Sequence, residues 1–124
     1  MTLLVLKAFW SLIYFDLYLV RGNFAALHNK IRDRRISARP ASSADALRIC
    51  SAVDYACIFY FKEVLCLQRA AATTWLLRHR GVRAEMVIGV QKLPFKAHAW
   101  VEVDGGVVND KPYTRQIYAV LDRC

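Results

Sequence analysis

A chain of 124 residues with 56% hydrophobic residues holds enough material for one core and is far too apolar to be disordered. Its formal net charge of +8 favours an acidic partner, whether nucleic acid, anionic lipid or acidic peptide, without choosing among them. Four cysteines, at positions 50, 57, 66 and 124, show no CxxC and no zinc-like spacing from histidine, which argues against a metal site and a disulfide framework and makes a reducing cytoplasm the default.

Leu3 to Val20 is apolar except for Lys7, Ser11 and Asp16. Its length sits at the lower edge of what spans a bilayer, and its two charges count against a lipid-facing helix. No small-residue cleavage site follows, so it does not read as a signal peptide. We expect a helix buried on most sides or docked on a partner, with peripheral membrane contact through residues 3–20 as the other outcome. Were it to span, the basic flank of Arg21, Lys30, Arg32, Arg34 and Arg35 would keep the rest of the chain in the cytoplasm. Gly22-Asn23 ends or kinks this helix, and Phe24 to Leu27 resumes it.

His28 to Arg39 is the main basic run, which reads as a solvated face. No aromatic residue interrupts it between Lys30 and Arg39, and no nucleic-acid-binding motif is present, so nucleic acid is not an expected partner. Pro40-Ala41-Ser42-Ser43 marks a boundary inside a single domain 1–124, between an N-terminal helical region 1–40 and a core 41–124. Ser42 and Asp45 have the form of a capping box. After it, Ala46, Leu47, Cys50, Val53, Asp54, Cys57, Ile58 and Phe61 recur at helical steps and predict the buried face of a helix. Cys50 and Cys57 read as small packing residues.

Cys66 opens a second predicted helix, which runs to about Arg80 and stops at Gly81. Its packing face is Leu67, Ala71 and Trp75, with Ala72 and Leu76 beside them. Arg78, His79 and Arg80 suit the negative helix end, which gives His79 a structural role, and Gly81 supplies the left-handed stop. Glu85 to Val90 reads as a buried strand, and Lys92-Leu93-Pro94-Phe95 as a connection. Along Lys96 to Val103, Ala97, Ala99, Val101 and Val103 share one face, and His98, Trp100 and Glu102 the other. Asp104-Gly105-Gly106 predicts a hairpin into Val107-Val108-Asn109, and Ile117 to Leu121 adds a strand. Helices first and an antiparallel meander after them make an α+β domain.

A cysteine at a helix start, where free amides and the dipole favour a thiolate and can hold an oxyanion, is placed for acyl chemistry. His98 is a candidate base and Asp110 a candidate to orient it. Periodicity allows these three side chains to meet but does not bring them together. Taken alone, such cysteines and histidines are more often packing residues.

The strings Cys66-Leu67-Gln68-Arg69-Ala70, Leu76-Leu77-Arg78-His79-Arg80-Gly81, Ile88-Gly89-Val90, Phe95 to Glu102 and Gly106-Val107-Val108-Asn109-Asp110 together resemble the transglutaminase-like superfamily. More narrowly they are similar to lasso peptide biosynthesis protein B in its split form. The resemblance implies N-terminal helices before a catalytic helix packed on a small antiparallel sheet, a papain-like arrangement. It implies a cysteine peptidase, without cofactor, that removes the leader from a ribosomally made precursor peptide, with Cys66 as nucleophile, His98 as base and Asp110 as orienter. It further implies two partners, a separate leader-recognition protein and a lasso cyclase, and a preference for threonine just before the last leader residue. With the sequence starting at its hydrophobic helix, we expect no leader-binding domain on this chain, as in the split form. Gln68 follows Cys66 and does not precede it, so no side-chain oxyanion donor can be assigned. Asn109 and Asp104 remain alternatives to Asp110, although Asp104 reads as a turn former. Two other classes compete: an amide-forming transglutaminase on the same scaffold, and a non-catalytic basic binding module.

Overall fold

The computed structural model describes residues 2–36 and 43–124, so the expected boundary at Pro40 and the Ser42 cap lie outside the described residues. Helix α1 (Thr2–Val20) ends where Gly22 takes φ +67, its amide bonding Leu19 O while Asn23 N reaches back to Tyr18 O. That left-handed stop satisfies the last carbonyls of α1. Asn23 then accepts from the Ala26 amide through Oδ1 and caps α2 (Phe24–Asp33).

Leu4, Ala8, Leu12 and Phe15 form the buried ridge of α1. The helix is not buried on most sides, because Leu3, Leu6, Trp10, Leu17 and Val20 leave an exposed stripe opposite that ridge. Asp16 lies inside the fold, where it accepts from Tyr60 Oη at 2.8 Å and meets Lys62 Nζ at 2.9 Å. Burial and this carboxylate push the Tyr60 phenol up to about 12. Thus the acidic charge that counts against lipid is paired within the protein. By length and composition α1 is nevertheless long and apolar enough to cross a membrane.

Helix α3 (Ser43–Phe59) buries Ile49, Cys50, Ala52, Val53 and Ala56, followed by Tyr60. This corrects the expected face: Leu47, Ile58 and Phe61 are each more than two-thirds exposed. Apolar residues surround this helix, so periodicity alone does not select a face. The seated side carries Ala52 and Ala56, which let α1 and α4 (Cys66–His79) approach closely. Small residues also dominate α4, where Ala70, Ala71, Ala72, Thr73 and Thr74 are buried between the other helices and the sheet. Its end follows the expectation, with Gly81 at φ +83, Gly81 N on Arg78 O and Val82 N on Leu77 O.

Arg78 differs from the expected helix-end cation. Its guanidinium is buried and donates to Ala84 O, to Ile31 O in the last turn of α2, and to Cys124 O. One side chain therefore joins α4 to three other parts of the fold.

Strands β1 (Ala84–Gln91), β2 (Lys96–Val103), β3 (Gly106–Val107) and β4 (Ala119–Arg123) form an antiparallel sheet in the order β3-β2-β1-β4. Asp104 and Gly105, both at positive φ, make the two-residue hairpin between β2 and β3. A simple meander ends there. The chain passes through a short helix α5 (Thr114–Ile117), absent from the expectation, and β4 pairs with β1 on the far edge. Buried Glu102 anchors this return: its carboxylate accepts from Trp100 Nε1, pairs with Arg123 Nη1 at 2.8 Å and faces Arg115 Nε at 3.4 Å.

Candidate functional site

Cys66 is the first residue of α4 and is exposed. Leu65 before it is extended and gives no side-chain cap, so the first amides of the helix keep their donors for another acceptor. The other three cysteines are in different surroundings. Burial pushes the thiols of Cys50 and Cys124 up to about 11, and it raises that of Cys57 as well.

His98 sits on β2, half-buried, with Nε2 at 2.5 Å from Asp110 Oδ2. Tyr118 stacks on its ring at 5.1 Å between centroids, and Trp100 lies at 6.0 Å. Nothing in the sequence pattern marks Tyr118, because it comes from the α5–β4 junction and meets His98 only through the crossover. Gly89 is the strand partner of His98, and a Cβ there would come within 2.7 Å of the Trp100 ring. The glycine therefore makes room for the indole beside the imidazole.

Of the three candidates for a partner of His98, Asp110 is the one in contact. Asn109 is buried and uses Oδ1 to accept from the Val101 amide at 2.8 Å, which pins the segment after β3 alongside β2. Asp104 lies in the hairpin turn at φ +52. Asp110 also accepts from the Lys111 amide through Oδ1. Burial works to raise its carboxyl, but the hydrogen bonds from His98 and Lys111, with the charges of His98 and Arg69, outweigh that and hold it below the usual aspartate value. A carboxylate kept ionised beside Nε2 favours a proton on that nitrogen and leaves Nδ1 as the acceptor.

Cys66 and His98 line one cleft of about 120 Å³, with Phe24, Leu67, Ile88, Ala97 and Ala99. Phe24 comes from α2, a contribution that the sequence pattern does not signal. Gln68 is turned away from the cleft: it is buried and donates through Nε2 to Leu12 O of α1 at 2.8 Å. Among the described residues no group of three or more His, Cys, Asp or Glu is arranged to hold a metal ion.

A cysteine-bearing helix thus packs on an antiparallel sheet with histidine on β2 and aspartate in the segment after β3, and one family, the transglutaminase-like superfamily, matches the sequence over residues 10–123. The chain belongs to the transglutaminase-like superfamily. This transglutaminase-like chain is also 43% identical over 56 residues to the microcin J25-processing protein McjB of Escherichia coli. That match covers 45% of the chain and 27% of the relative, so it spans little more than a quarter of McjB. No solved structure matched the chain.

Proposed function

We propose that this protein is a cysteine peptidase that removes the leader from a ribosomally made lasso peptide precursor. The observation that carries the reading is the contact of His98 Nε2 with Asp110 Oδ2 beside the cleft that Cys66 opens into. The superfamily supplies the scaffold for acyl chemistry, and the likeness to a microcin-processing protein supports a peptide precursor as substrate.

In this reading the Cys66 thiol passes its proton to His98 Nδ1, and the sulfur attacks the scissile carbonyl carbon. The oxyanion so formed is held by free amides at the start of α4. Collapse breaks the C–N bond; the imidazolium protonates the leaving amine, and the leader remains as a thioester on Cys66. His98 then takes a proton from water, whose oxygen attacks the thioester, and the leader carboxylate and the thiol are released. Asp110 keeps the imidazole in one tautomer throughout. A separate leader-recognition protein presents the precursor, and a cyclase uses the freed amine; all of this takes place in the cytoplasm.

The test is mass analysis of a lasso peptide precursor after incubation with the protein and a leader-recognition protein. Two fragments whose masses sum to the precursor plus one water are expected, and none with Cys66→Ala. An amine adduct with loss of ammonia would move the assignment to acyl transfer, and cleavage by Cys66→Ala would remove the cysteine mechanism.

A further inference from the structure

A second cleft, of about 300 Å³, lies at the other end of α4, lined by Lys7, Trp10, Ser11, Arg34, Trp75, Leu76 and His79. Among the described residues its lining has three basic side chains and no acidic one. Helix ends attract cations as a matter of course, and His79 in the last turn of α4 is accounted for in that way. Lys7 and Arg34 are not. Lys7 lies in the interior of α1, and among the described residues neither Lys7 nor Arg34 meets a carboxylate. The Arg34 guanidinium instead stacks 3.8 Å above the Trp75 ring, with Nε buried and without a hydrogen-bond partner.

A partly desolvated cation without an anion costs free energy, which a bound anion would offset. Burial already draws Arg34 below its usual value. Trp10, almost two-thirds exposed, offers a flat apolar wall next to these charges. The volume suits one or two side chains and is too small for a folded partner or a duplex.

The position relative to Cys66 narrows the ligand further. Trp75 and His79 follow Cys66 by nine and thirteen residues on one helix, which is roughly 14 to 20 Å along its axis. Nine and thirteen helical steps also turn Trp75 and His79 roughly 180° and 220° away from Cys66. A peptide reaching both clefts therefore runs around α4 and needs at least the about four to six extended residues of the axial distance. We propose that this Lys7–Arg34–Trp10–Trp75 cleft is an exosite for an acidic stretch of the substrate peptide, at least four residues from the scissile bond. The proposal rests on the peptidase reading for the identity of the substrate, but its test does not depend on turnover.

The experiment uses the full chain with Cys66→Ala, so that no cleavage intervenes, and follows tryptophan fluorescence. Trp10 and Trp75 line the cleft, while Trp100, the third tryptophan, is fully buried elsewhere. Hexaglutamate should change the emission saturably, hexaglutamine should not, and added salt should weaken the effect. Lys7→Gln and Arg34→Gln should each weaken binding roughly two- to fivefold, as for loss of one partly exposed ion pair, and Lys92→Gln on the β1–β2 connection should not. Lys7 is exposed, so its variant remains informative if Arg34→Gln does not fold. No response to hexaglutamate, equal binding of hexaglutamine, equal response to inorganic phosphate, or tighter binding of a short oligothymidylate would each overturn the proposal. If the acidic peptide binds as expected while the active chain, supplied with a leader-recognition protein, cleaves no precursor, the cleft stands as an acidic-peptide site and the peptidase reading fails.

Discussion

His98 and Asp110 lie twelve positions apart in sequence, yet Nε2 of one and Oδ2 of the other are 2.5 Å apart. Asn109 makes this contact reproducible. Its side chain holds the Val101 amide and so fixes the register of the segment that carries Asp110. If Asp110 orients the imidazole, Asp110→Asn should fold normally and lose turnover by roughly 10⁴-fold, the scale of a wrong tautomer in other triads. Asp104→Asn should leave turnover unchanged. Precursor cleavage rates for the two variants check this, and the reverse pattern would sink the assignment.

Cysteine chemistry should divide along burial. Cys50, Cys57 and Cys124 are held as thiols by their surroundings, with Cys50 and Cys124 near 11, whereas Cys66 is exposed at a helix start. Brief treatment with iodoacetamide at about pH 8, below both raised values and near the ordinary thiol range, should therefore alkylate Cys66 first and stop cleavage. Peptide mapping reads the order of labelling. Equal labelling of all four residues would contradict it.

Gly89→Ala tests the packing behind His98. A methyl group 2.7 Å from the Trp100 ring, and 3.0 Å from Ala119 O, forces the indole or β4 to move. Overpacking of this kind costs about 1–3 kcal/mol, measurable as a lower urea midpoint with an unchanged slope. An unchanged midpoint would mean that the ring is not held where it lies.

Glu102 predicts an acid-dependent loss of stability. Burial opposes its ionisation, but hydrogen bonds from Arg123 and Trp100 with the charges of Arg123 and Arg115 prevail, so its carboxyl is held below the usual glutamate value. The sign follows directly: the contribution is complete above the unfolded value, near 4.3, and is lost as pH falls from there through the depressed folded value. Urea midpoints of the parent should drop across that window more steeply than those of Glu102→Gln. At neutral pH Glu102→Ala should cost roughly 3 kcal/mol, the low end for breaking a buried pair, because both arginines are partly exposed.

Gln68 separates a structural amide from an oxyanion donor. Its Nε2 is committed to Leu12 O, so Gln68→Leu should lower stability by about 1 kcal/mol and leave kcat within about twofold. A loss of kcat near 10²–10³, the scale for removing an oxyanion donor, would show that the amide acts on the substrate.

Local chemistry decided much of this protein in advance. Gly81 after a basic helix end, Asp104-Gly105 between alternating strands, and Cys66 at the start of an apolar helix each act through neighbouring residues, so their signals survive in the sequence and the helix stop, the hairpin and the exposed cysteine are found where they are expected. The strand from Lys96 to Val103 is likewise found with those bounds. What only the tertiary structure decided depends on distant partners. The seated face of α3 was chosen by how closely α1 and α4 could approach Ala52 and Ala56, and not by its own period. The return of β4 to β1, the Tyr118 stack on His98, and the choice of Asp110 over Asn109 follow from pairings across the sheet and from buried anchors at Glu102 and Asn109. Arg78 shows the same limit: a cation in a last helical turn looks local, but its carbonyl partners lie on α2, at Ala84 and at Cys124, and only packing brings them together.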